Sequence, residues 1–268
     1  MDNRPIGVFD SGIGGLTALK AIQDIMPHEN VVYFGDTGRM PYGDKSKETI
    51  ISYTHEIAGF LKGFGVKAIL AACGTVSSYL PCISEEIFGV VKPACAAAVK
   101  TSKNKKIGIL ATSAAIKSES YLNELKKICS DAQYFPKACP LLAPMIEHGN
   151  INFENEFLRE ILHEYISPLE KEGVDTLILG CTHYPILLPV IEKMFKGRFN
   201  LIDPGKESAK TLKKYLESSE MRADKTQNGF KKFFVSGNET EFAKSAKLFL
   251  KTDISENVKK ANLAKEEI

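Results

Sequence analysis

Two cysteines stand where a parallel strand would hand its chain over to chemistry. Cys181 follows the apolar run Thr176-Leu177-Ile178-Leu179-Gly180 and precedes Thr182, His183, Tyr184 and Pro185. Cys73 follows Ala68-Ile69-Leu70-Ala71-Ala72 and precedes Gly74-Thr75, and in both stretches a Gly-Val pair begins eight residues before the cysteine. A thiol at a strand end, beside turn N–H groups and the start of a helix, is set to ionise below its usual value of about 8.5. Two such thiols facing each other across a small substrate can remove a proton from one face of a carbon and return one to the other face, which a single base does awkwardly. Other chemistries use only part of this set. Cys181 and His183, two apart on an extended segment, point the same way and could begin a metal site or form a Cys-His nucleophile pair, as in an amidohydrolase. Both leave Cys73 unexplained, and a metal site would need further ligands.

Other groups suit the management of two thiols. Asp10 ends the strand expected beside that of Cys73, and His183 with Glu147 belongs to the Cys181 side; these three can set which thiol carries a proton. Ser11 and Asp10 also suit a simple helix N-cap. Tyr42, in Pro41-Tyr42-Gly43, reads as part of a loop covering a substrate. Cys82, Cys95, Cys129 and Cys139 lack the strand-end setting and are expected to be structural.

The elements that must place these residues follow a βαβ rhythm. Pro5–Phe9 is an apolar run that reads as a strand, Asp10 to Gly15 a turn, and Leu16, Leu19 and Ile22 start a helical spacing. The glycines at 12, 14 and 15 do not fit a dinucleotide fingerprint. Val31–Gly35 is a second strand, and Ile50, Thr54, Ile57 and Leu61 stripe a helix that returns to the Cys73 strand. Such crossovers imply an α/β fold with mainly parallel sheets flanked by helices. Ile107-Gly108-Ile109-Leu110-Ala111-Thr112-Ser113 echoes the first strand and turn, and comes 101 residues after Ile6; Cys181 comes 108 after Cys73. The chain therefore reads as two pseudo-symmetric domains, 1–97 with 208–268 and 98–207, with the site in the cleft between them. A helix is expected over about 118–128, further strands at Leu201–Ile202 and Phe233–Val235, and a solvated tail with helical potential over 251–268.

Composition narrows the partners. The 268 residues, 44% hydrophobic and 25% charged, are ordinary for a soluble protein with a sizeable core. Lys+Arg 35 against Asp+Glu 33 leaves +2, no electrostatic footprint for nucleic acid or membrane. No secretory signal pattern and no long apolar stretch is visible, so a cytoplasmic protein with free thiols is expected. A small-molecule substrate is the expectation.

Five separated blocks together carry a resemblance: Phe9-Asp10-Ser11-Gly12-Ile13-Gly14-Gly15; Gly35-Asp36-Thr37 with Pro41-Tyr42-Gly43; Cys73-Gly74-Thr75; Ala138-Cys139-Pro140-Leu141; and Gly180-Cys181-Thr182-His183-Tyr184-Pro185. The chain from about residue 5 to 250 resembles glutamate racemase, of the cofactor-independent aspartate/glutamate racemase superfamily. The resemblance implies that Cys73 and Cys181 are the two acid/base thiols, that Asp10, Glu147 and His183 assist them, and that Ser11, Pro41, Tyr42, Gly43, Gly74, Thr75 and Thr182 meet glutamate. It implies no cofactor and no metal, D-glutamate for peptidoglycan as the product, and a homodimer. Racemisation of aspartate or another amino acid, an amidohydrolase, and a non-catalytic amino-acid-binding paralogue remain as alternatives. Two positions depart from the family pattern: Gly74 where asparagine is usual, and Ala115 where threonine is usual. Gly74 is expected to leave room for a water or a bulkier substrate, and each change to remove one hydrogen bond, about 0.5–1.5 kcal/mol.

Overall fold

The computed structural model describes residues 1–83, 86–261 and 263. Among the described residues ten strands fall into two parallel sheets. β1 (Ile6–Asp10), β2 (Val31–Gly35), β3 (Ala68–Ala71), β4 (Ile87–Phe88), β9 (Lys231–Val235) and β10 (Val258–Lys260) form the first, in the order β10-β9-β2-β1-β3-β4. β5 (Lys106–Ala111), β6 (Gln133–Ala138), β7 (Thr176–Leu179) and β8 (Asn200–Ile202) form the second, in the order β6-β5-β7-β8. The expected α/β fold of parallel sheets flanked by helices is what the chain forms.

Period-two burial explains why both faces of the first sheet are covered. Ile6, Val8, Tyr33 and Leu70 face one core, while Phe9, Val32, Phe34 and Ile69 face the other. In the second sheet Leu110, Leu177 and Leu179 join the larger core, and Ile107, Ile109 and Ile178 face a third cluster with Ala94, Cys95 and Ala98 of the helix Val91–Thr101. The larger core runs without interruption from one sheet to the other. The register aligns the functional ends: Asp10 lies opposite Gly35, Phe9 opposite Ala71, and Leu110 opposite Leu179.

Several expectations shift. β6 lacks the apolar alternation that marks a strand, since only part of its surface is covered, and Pro136 sits within it at the sheet edge where no ladder donor is needed. The helix expected over about 118–128 forms as Ser120–Ile128, after a left-handed Glu119; a short helix that was not expected, Ser113–Lys117, precedes it, capped by Thr112 through the Ala115 N–H. The tail is not simply solvated. Val258 is buried and β10 adds a parallel edge strand to β9, hydrogen-bonded onward by Ala261 N–H to the Val235 carbonyl at 2.8 Å. Residues 262 and 264–268 of that tail lie outside the described residues. Among the described residues no helix is long and apolar enough to cross a membrane.

Candidate active site

The site lies beyond the carboxyl ends of β1, β2, β3, β5, β6 and β7, where open parallel sheets leave turn backbone free to meet a ligand. One cavity of about 380 Å³ gathers Ser11, Pro41, Tyr42, Gly43, Cys73, Gly74, Thr75, Glu147, Cys181, Thr182 and His183. That volume suits a small molecule. Of the residues expected to be catalytic or to meet the substrate, only Asp10 is missing from the wall; it is fully buried behind it.

Around Cys73 the partners are a hydroxyl and a carboxylate. Cys73 is buried at the start of the short helix Gly74–Ser77 and donates its thiol hydrogen to Ser11 Oγ at 3.4 Å. Burial first, then the charge of Asp10, push this thiol up to about 11, against the pull of Ser11 and the Val76 N–H. Cys73 therefore keeps its proton at neutral pH. Asp10 Oδ2 accepts from the Gly12 N–H at 3.0 Å, while Oδ1 makes no aligned hydrogen bond. Burial raises the Asp10 pKa, and the charge of His183 opposes that rise.

Around Cys181 the partner is a cation. Cys181 Sγ lies 3.6 Å from His183 Nδ1. His183 Nε2 lies 2.9 Å from Glu147 Oε1, but off the ring N–H direction, so this is a contact of charges rather than an aligned hydrogen bond. Burial disfavours the imidazolium; Cys181 and then Glu147 outweigh it and lift the pKa to about 10. The ring also meets the edge of Phe249 at 5.9 Å between centroids, from the last helix, Glu239–Leu250. No group of three or more metal-ligating side chains stands together among the described residues.

The loop over the cavity is braced from behind. The Tyr42 hydroxyl does not point to open space but donates to Asp36 Oδ2, and Asp36 also accepts from Arg39 Nε at 2.7 Å and Ser236 Oγ at 2.6 Å. Tyr42 thus offers the cavity its ring and backbone. Arg39 in turn pairs with Glu56 and lies 3.8 Å over the Tyr53 ring.

Sequence reasoning missed part of the wall. Thr112 and Ser113, the turn that echoes Ser11-Gly12, line the cavity, as does Lys117, and Pro140 and Pro144 come from the loop and helix after β6. The echo was the available signal for Thr112 and Ser113; nothing in the pattern singled out Lys117. Gly14 was read only against a nucleotide fingerprint, yet a Cβ there would fall 2.2 Å from Thr182 Oγ1 and 2.6 Å from His183 Nδ1. Its glycine lets the first turn touch the second thiol's neighbours, and Thr17 Oγ1 adds a 2.9 Å hydrogen bond to the Thr182 carbonyl. Both departures read differently in place. Ala115 is buried in the third cluster and is not part of the wall. Gly74 does not open space: a Cβ on it would fall 2.9 Å from the Gly180 carbonyl oxygen.

Residues 17–212 match the family model described as Asp/Glu/Hydantoin racemase. The chain is 41% identical to a glutamate racemase of Persephonella marina over 97% of this chain and 98% of that one. It is 45% identical to a glutamate racemase of Aquifex aeolicus, over 80% and 84%. Among solved structures, glutamate racemase isoform RacE1 of Bacillus anthracis superposes with a TM-score of 0.90 at 34% identity, covering 98% of this chain and 99% of that one. The glutamate racemase of Francisella tularensis, solved with D-glutamate, gives 0.87 at 33% identity, covering 98% and 99%. This chain belongs to the Asp/Glu/hydantoin racemase family and is an isomerase of the amino-acid racemase type.

Proposed function

We propose that this protein interconverts L- and D-glutamate without a cofactor, with Cys73 and Cys181 moving the α-proton across opposite faces of the substrate. The observation that carries this reading is the single cavity walled by one strand-end thiol from each half. The near relatives named glutamate racemase support the choice of substrate. In one direction the Cys181 thiolate, kept beside cationic His183, takes the α-hydrogen and leaves its electron pair on carbon. The Cys73 thiol then gives its hydrogen to the opposite face. Cys181 ends as a thiol and Cys73 as a thiolate, and turnover in the other direction or proton exchange with water restores the start.

The α-carbanion is a poor leaving state, so the site must help it. Ser11, Thr75, Thr182, Pro41-Tyr42-Gly43 and Gly74 line the cavity; in this reaction their hydroxyls and backbone meet the two carboxylates, and burial strengthens each such contact. Glu147 holds His183 cationic, and Asp10 opposes charge on Cys73. D-Glutamate so formed would serve peptidoglycan precursors.

Incubation with L-glutamate in D2O tests this. Deuterium should enter at the α-carbon while optical rotation decays to zero with no added cofactor. Exchange on aspartate but not glutamate would reassign the substrate, ammonia release would favour a Cys181-His183 amidohydrolase, and unchanged signals for both amino acids would sink the racemase reading.

A further inference from the structure

The first helix of one half reaches the thiol site of the other. That helix, Leu16–Ile25, is set in the larger core through Leu16, Ala18, Leu19 and Ile22, and Ala18 packs so closely on Gly205 that a Cβ on the glycine would fall 3.0 Å from the Ala18 Cα. Its second residue, Thr17, lies outside the cavity wall. The Thr17 hydroxyl has one hydrogen to give and two carbonyl oxygens at 2.9 Å, that of Gly14 in its own turn and that of Thr182 in the other half. The carbonyls on either side of Thr182 are met from within their own segment, Cys181 O by the Tyr184 N–H at 3.0 Å and His183 O by the Ile186 N–H at 3.2 Å. Thr182 is thus where the segment between β7 and the helical turn Tyr184–Leu187 is tied across the cleft. The turn that carries Thr17 also touches the imidazole, since a Cβ on Gly14 would fall 2.6 Å from His183 Nδ1 and 2.7 Å from Cε1. Nδ1 is the ring atom 3.6 Å from Cys181 Sγ.

We propose that Thr17 is a positioning residue: its hydroxyl, carried on a helix fixed in the core, pins the Thr182 carbonyl and so holds His183 against Cys181. A group that manages a proton works only when its supporting contacts fix it to within about half an ångström, and a rigid helix supplies such a contact better than a loop does. Without the hydroxyl, the part-buried Thr182 carbonyl loses this partner, and its peptide turns toward another donor or water. That peptide leads directly into His183, so the turn carries the ring with it. Transfer rates fall steeply with such misplacement, about 100-fold for roughly 1 Å. The titratable groups that face the ring are Cys181 from its own segment, Glu147 from the helix Leu142–Glu147 and, through its charge, buried Asp10 from β1.

The inference rests on the racemase reading, and the test separates the two. Thr17→Val removes the hydroxyl and keeps the shape. It is expected to lower kcat for glutamate about tenfold in both directions, with KM changed by less than about threefold. It should also bring the imidazole titration of His183 down from about 10 toward 6.5, because burial opposes the cation and Cys181 is the foremost partner that overcomes it. NMR of the histidine ring signals follows this titration, His183 being the ring whose signal is missing from His183→Asn. Thr17→Ser, which keeps the hydroxyl, should hold both kcat and the titration at the values of the unaltered protein. An unmoved His183 titration in Thr17→Val overturns the proposal whatever happens to kcat, as does a loss confined to KM, or a Thr17→Ser variant as impaired as Thr17→Val. If Thr17→Val does not fold, Thr17→Ala, which adds no bulk, is read in its place by the same criteria. Failure of the unaltered protein to exchange the glutamate α-proton overturns the racemase reading alone, while the His183 titration in the variants still decides the role of Thr17.

Discussion

Cys73 and Cys181 occupy equivalent places, each after the end of a central strand, yet their surroundings are opposite in charge. Cys73 has a hydroxyl beside it and a buried carboxylate behind it; burial first and then that carboxylate hold it as a neutral thiol, against the pull of the hydroxyl. Cys181 has an imidazolium beside it and a carboxylate beyond that. The repeat of the fold supplies two matched positions, and the residues around them make the positions unlike. In the proposed reaction, that difference is what lets Cys73 start as the proton donor and Cys181 as the acceptor, which a symmetric pair of thiols could not do. Two-base racemisation also requires the roles to exchange, so each half must tolerate the other's state.

The largest effect that can break this comparison is removal of either thiol. Cys73→Ser and Cys181→Ser should each lower kcat for glutamate racemisation by at least about 1,000-fold, because an alcohol at a strand end is far less acidic than a thiol and the proton relay needs both ends. Racemisation measured by circular dichroism from each enantiomer checks this; a loss in only one of the two variants would mean that a single base suffices.

A smaller effect sharpens the Cys181 side. His183→Asn should lower kcat about 100-fold, and Glu147→Gln less, since burial already opposes the imidazolium and Cys181 still favours it. The stability of the protein should follow the same charge. A histidine whose folded pKa stands near 10, against 6.5 when free, contributes stability that is fully present below pH 6.5 and is lost as pH rises through 10. Urea unfolding of the unaltered protein and of His183→Asn across pH 6 to 10.5 should therefore show a gap that narrows as pH rises. A gap independent of pH would deny the cation.

Much of this arrangement was legible because it depends on strand periodicity and on short motifs at strand ends. The strands carrying Asp10, Cys73 and Cys181 are apolar on both faces, so sequence marks where they stop, and chemistry sits where they stop. β6 and β10 were not legible, since half-covered edge strands carry no clean alternation. Long-range approach was also invisible. Gly14 against His183, Gly74 against Gly180, and Tyr42 turned onto Asp36 are properties of how the two sheets meet, and no local pattern encodes them. The expectation that Gly74 leaves space failed for that reason: a missing side chain can be either a vacancy or a contact.

The smallest effect tests the Cys73 side by itself. Asp10→Asn removes a charge without changing shape, and that charge is the second cause of the raised Cys73 pKa, after burial. The thiol should then ionise below about 11, yet still above its ordinary 9.0, because burial remains. The pH profile of Cys73 alkylation, followed peptide by peptide, measures the shift. The enantiomer whose reaction starts from a Cys73 thiolate should gain rate at a given alkaline pH, while the one that needs Cys73 as a donor should lose it earlier as pH rises. Equal shifts in both directions would mean that Asp10 acts on the substrate rather than on the thiol, and would erase the difference between the two halves on which the donor assignment stands.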